Sequence, residues 1–92
     1  MKAPNDLGPE GRRTWRHIVA DYDVRGNEPV LHELCRTADR LAEIRDRMRT
    51  AKDTTEFLRL ANAEAKTAGT FARCWRLLGL QQADIPVRNE HA

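Results

Sequence analysis

The chain has 92 residues, 40% of them hydrophobic and 33% charged, and its 16 Lys plus Arg against 14 Asp plus Glu leave a net charge of +2. So short a chain makes one small domain that buries only ~60 to 65% of its unfolded surface on its own, and so mild a charge excludes any argument for nucleic acid from composition alone. With no apolar run long enough to span a bilayer, no signal segment and only two cysteines, the expectation is a soluble, cytoplasmic protein without a disulfide framework or a membrane partner.

Gly8 and Pro9 punctuate the start, and Trp15, Ile18, Val19 and Tyr22 follow at i, i+3, i+4 and i+7, the spacing of one buried helical face. This predicts a first helix over 9–22. Within it, the stretch GRRTWRH (11–17) crowds three arginines around a tryptophan. Trp15 belongs to the buried face, whereas Arg13, Arg16 and His17 point away from it and Arg12 sits at the border. Positive charge in the first turns of a helix opposes the macrodipole by ~0.3 to 1 kcal/mol, which makes Arg12 and Arg13, with Arg16, candidates for phosphate contact.

Residues 23–27 read as a turn, with Gly26 free to take positive φ and Asn27 placed to cap the next helix. Glu28 and Pro29 suit a first helical turn. From there Val30, Leu34, Thr37, Leu41, Ile44 and Met48 alternate four and three apart, a heptad-like seam, with Arg45, Arg47, Arg49 and Lys52 favouring the negative end of the dipole. The second helix is therefore expected over 28–52. Asp53-Thr-Thr-Glu56 reads as a capping box, opening a third helix over 54–78 that stops at Gly79, a natural C′ glycine. Two long helices joined by so short a turn are expected to fold back as an antiparallel hairpin, with the first helix packed across it. The expected architecture is all-α: a single helical domain over 1–80 and a mobile tail over 81–92.

At 100° per residue, Arg59, Asn62, Lys66, Thr70, Arg73 and Arg76 form one stripe of the third helix, and every charge in it is positive. The outer face of the second helix instead mixes signs through Glu33, Arg36, Asp39, Arg40, Glu43, Asp46 and Arg47, a pattern expected of a solvated surface. For the basic stripe, a wet face and an anion-contacting face weigh about equally. The apolar arc of the third helix, running from Phe57 to Leu78, covers more than half its circumference. A helix facing one core needs a stripe of only about 100°, so the surplus predicts a neighbouring subunit, the alternative being that the first helix and the tail cover all of it. Arg45 and Glu64 sit near the centres of the two facing apolar surfaces at nearly equal height, and are expected to pair across the hairpin as a register device. Cys35 and Cys74, also level, read as two small buried hydrophobes.

His32, Cys35 and Asp39 share one helix edge, but without a C-x-x-C or paired-His spacing a zinc site is not expected. No phosphate loop, nucleophile elbow or carboxylate pair in a cleft is legible. The expectation is a non-enzyme without metal or cofactor.

The order of features carries a further signal: Leu7-x-x-x-Gly11-x-x-x-Trp15, then Tyr22, then LHELCRTADRL (31–41) with Cys35 and Asp39, then an alanine- and arginine-rich helix closing on Leu77-Leu78-Gly79-Leu80. From Leu7 to Leu80 this resembles the small subunit of tailed-bacteriophage terminase. The resemblance implies a non-catalytic partner of a DNA-packaging motor, acting in the cytoplasm of an infected bacterium. It would assemble as a homo-oligomeric ring, bind double-stranded viral DNA and regulate the large terminase subunit, which the tail after Leu80 would engage. No separate helix-turn-helix segment fits before Leu7, and the connection between the long helices is shorter than the family's. DNA contact is therefore expected on Arg12, Arg13 and Arg16 and on the stripe Arg59, Lys66, Arg73 and Arg76. The competing reading is a helical protein-interaction scaffold that never meets nucleic acid.

Overall fold

A computed structural model describes residues 1–79. It contains α1 (Pro9–Asp21), α2 (Glu28–Arg49) and α3 (Thr54–Leu78), and no strand among the described residues. The all-helical class and the three helices agree with the expectation; the tail expected over 81–92 lies outside the described residues.

The helix ends show which local signals dominate. Asp53 is extended, and its side chain accepts from Glu56 N at 2.8 Å, as a capping residue should. The return half of the expected box is displaced by one residue, since Glu56 Oε1 accepts from Lys52 N at 3.1 Å rather than from Asp53. The second helix also ends at Arg49 and not at Lys52, because Thr50 leaves helical geometry with both its backbone N–H and its hydroxyl turned onto Arg47 O. Gly26 and Gly79 take the positive φ values of 88° and 61° that a side chain would resist. The first helix ends at Asp21, one residue short of Tyr22, which is already extended.

Two caps are supplied from distant parts of the chain. Gly8, the residue at the start of α1, has no side chain to offer, and the Asp39 carboxylate reaches over from α2 instead: Oδ2 accepts from Gly8 N and Oδ1 from Gly11 N, each at 2.7 Å. Asn27 takes the N-cap position of α2 as expected, but its side chain makes no capping bond there. Its amide nitrogen donates to Leu78 O at 3.3 Å, so it satisfies one of the carbonyls that end α3.

α2 carries both neighbours, with α1 packed on it and α3 packed on it. The core is Leu7, Trp15, Ile18, Val24, Leu31, Leu34, Cys35, Cys74 and Leu78, and Phe71 and Trp75 lie against it. It sits where α1, the first half of α2 and the end of α3 converge. Trp15 Nε1 donates to Met1 O at 3.3 Å, and Tyr22 meets Trp75 edge to face with centroids 6.3 Å apart. At 13 residues α1 is ~20 Å long, against ~33 Å for the 22 residues of α2, so the far half of α2 has no α1 on it. Phe57, Leu58 and Leu77 of α3 are 43%, 56% and 63% exposed, so the described residues cover the apolar arc only in part.

Candidate nucleic-acid interface

The basic stripe of α3 stands in solvent. Arg59, Lys66, Arg73 and Arg76 are all exposed, and none of their side chains has a hydrogen-bonded or ion-paired partner among the described residues. The cations of α2 differ: Arg45 pairs with Glu64, Arg47 with Glu43 at 3.1 Å, and Arg49 with Asp46, while Arg36 Nε lies 4.0 Å from Asp6 Oδ2. Positive charge on α3 is therefore available to an external anion in a way that most of the charge on α2 is not.

The arginines of α1 are spread over different tasks. Arg12 donates to Asn5 O at 3.1 Å, and Arg13 lies 3.4 Å from Glu10 Oε1. Arg16 is exposed and without a partner among the described residues. Glu10 and Thr14 line a groove that Phe71 of α3 also lines, and Arg12 and Arg16 project from the other side of α1. Among the described residues no hydrogen bond or ion pair joins these arginines to the α3 stripe.

Arg45 and Glu64 are brought together, Nε donating to Oε2 at 2.8 Å. The environment differs from the desolvated centre expected, because the Arg45 side chain is 56% exposed. It lies at the rim of the groove that α1 is too short to fill, so the pair is a solvated one, worth ~0 to 1 kcal/mol.

His32, Cys35 and Asp39 do not converge on a site. Asp39 is occupied by the amides of Gly8 and Gly11, while His32 Nε2 lies 2.8 Å from Asp6 Oδ1. Cys35 is wholly buried. Burial, with a smaller effect of the Asp39 charge, pushes its thiol up to about 12; burial also raises that of Cys74. Both are free thiols, and reactive cysteines require the opposite shift. No group of three metal-ligating side chains occurs among the described residues.

One arrangement was not legible in the sequence. Arg36 and Arg40, placed by pattern on a mixed-sign solvated face, line a groove between α2 and α3 of about 360 Å³ together with Lys66, Thr67 and Thr70. Arg40, like Lys66, has no partner among the described residues. The available signal was angular: Arg36 and Arg40 are one turn apart and adjacent to Thr37 and Ile44 of the seam, on the side toward which the α3 stripe turns.

No protein-family model, no curated protein and no solved structure matches the chain. No helix among the described residues is long and apolar enough to cross a membrane.

Proposed function

We propose that this protein is a non-catalytic, self-assembling helical adaptor that holds double-stranded DNA through phosphate contacts, in the manner of the terminase small subunit it resembles. The observation that carries the reading is the row Arg59, Lys66, Arg73 and Arg76, exposed and unpaired among the described residues. Arg73 and Arg76, at i and i+3, repel one another, and an anionic partner relieves that repulsion. In this reading α2 and α3 form an antiparallel hairpin that is the assembly unit, with α1 bracing its first half. The exposed Phe57, Leu58 and Leu77 meet neighbouring copies in a ring. The partners are viral DNA and the large terminase subunit, met in the cytoplasm of the infected bacterium, and the chemistry of packaging belongs to the large subunit.

Phosphate contacts position a protein and seldom specify sequence, so binding should be salt-sensitive and nearly sequence-blind. Reversing Arg73 and Arg76 to Glu is expected to abolish retention of DNA in a low-salt gel shift without changing assembly. Retention equal to the parent's would reduce the stripe to a solvated face. The scaffold reading, a helical interaction module without nucleic acid, draws on the same exposed apolar side chains. It gains if the parent assembles yet holds no DNA at any ionic strength.

A further inference from the structure

The groove between α2 and α3 contains a polar group that the fold leaves unsatisfied. Thr67 is only 9% exposed, it lines this groove, and its hydroxyl has no hydrogen-bond partner among the described residues. The neighbouring threonines behave differently: Thr37 Oγ1 donates to Glu33 O at 2.8 Å, and Thr70 Oγ1 to Lys66 O at 3.3 Å. A buried hydroxyl without a partner costs ~1 to 3 kcal/mol, and an acceptor that enters the open groove, whether water or an anion, offsets that cost.

The walls specify what that acceptor is. Arg36 and Arg40 stand one helical turn apart on α2, and Lys66 faces them from α3, the residue immediately before Thr67. Among the described residues Glu33 is the only acidic one in the lining, and Asp6 compensates Arg36 at 4.0 Å, which leaves Arg40 and Lys66 as cations without a described counter-charge. Two guanidinium groups, an ammonium and a hydroxyl donor around a small cleft match a tetrahedral oxyanion, since guanidinium forks bind phosphate through paired N–H groups.

We infer that this groove is a phosphate site in which Arg40 and Lys66 supply the charge, Arg36 a further fork and Thr67 Oγ1–H a buried hydrogen bond. The phosphate is one of a nucleic-acid backbone, so that part of the inference rests on the function proposed above. It extends that reading by carrying the contact from the outer stripe of α3 into a cleft shared by two helices. A backbone phosphate seated there fixes the register of the nucleic acid on the protein, which an exposed stripe alone does not do.

The test uses the full chain and two probes. Inorganic phosphate is titrated at constant ionic strength while amide shifts are followed by NMR, with chloride as the control. In parallel, the salt dependence of binding to a short mixed-sequence DNA duplex is measured. In the parent, phosphate should shift Lys66 and Thr67 saturably. Thr67→Val, which exchanges the hydroxyl for a methyl, and Arg40→Gln should each weaken that binding about tenfold. Arg40→Gln with Lys66→Gln should lower the salt slope for DNA by about 2.

Arg40 and Lys66 are exposed, so the Gln variants remain informative even if Thr67→Val disturbs packing. Unchanged DNA affinity and slope in the Gln variants, with no phosphate response at Thr67, would overturn this inference and leave the proposed function resting on Arg59, Arg73 and Arg76. Saturable phosphate binding in the groove of a protein that holds no DNA would keep the site, remove the backbone as its source, and overturn the proposed function. No response to either probe overturns both.

Discussion

Gly11 and Asp39 show how much a single position can depend on a partner distant in sequence. A Cβ built at Gly11 would lie 2.4 Å from Asp39 Oδ2 and 2.8 Å from Cys35 O. The carboxylate could turn aside, but a backbone carbonyl in the middle of α2 cannot. Gly11→Ala should therefore destabilise the fold by about 1 to 3 kcal/mol in denaturant unfolding, although alanine is the better helix former by ~1 kcal/mol. Equal or higher stability would mean that α1 does not sit this closely on α2. Asp39→Ala removes the cap from Gly8 and Gly11 and should cost ~0.5 to 2 kcal/mol. Asp6 is a solvated case: the hydrogen bond from His32 lowers its pKa, with the charges of His32 and Arg36 adding smaller effects. A lowered carboxylate pKa contributes stability that is present above the ordinary value of about 4 and is lost as pH falls through the lowered one. The Asp6 carboxyl, followed by NMR, should accordingly titrate higher in His32→Ala than in the parent.

At the scale of elements, each helix has a start signal of a different kind. α3 carries its own in Asp53, so Asp53→Ala should cost ~1 kcal/mol and fray the first turn, visible as faster amide exchange at Phe57 and Leu58. α1 depends on Asp39 of another helix, and Asn27 serves the end of α3 rather than the start of its own element. Fraying confined to α3 in Asp53→Ala, with α1 and α2 unaffected, is the expected pattern. These differences explain why the helices were legible and several of their end contacts were not. Pro9, the Asp53-to-Glu56 box and Gly79 act within one turn of chain. The Asp39 and Asn27 bonds span 31 and 51 residues, and nothing in the local spacing announces them.

For the molecule as a whole, the mismatch in helix length matters most. α1 is too short to follow α2 to its end, so among the described residues no third layer buries the apolar side chains in the far part of the α2–α3 pair. Phe57 and Leu58 lie in that part, and both are exposed. If neighbouring copies supply the missing cover, mass by light scattering should exceed that of one chain across a range of concentrations, and Phe57→Glu with Leu58→Glu should reduce it to that of one chain with helix content retained. A parent with monomeric mass at every concentration would remove self-assembly from the proposed function.

The sequence by itself determined the helical class, the three helices and the exposed basic row on α3. Periodicity, capping residues and charge on a single helix are properties of neighbours within a few residues, and these were all present in the order of the chain. Only the tertiary structure decided that Asp39 serves the start of α1, that Arg45 meets Glu64 in solvent, and that Arg36, Arg40, Lys66 and Thr67 share a groove. Those facts depend on the rotation of one helix against another and on where α1 stops. Side-chain spacing along a single helix marks its apolar face but does not fix the rotation and height at which a neighbour packs on it.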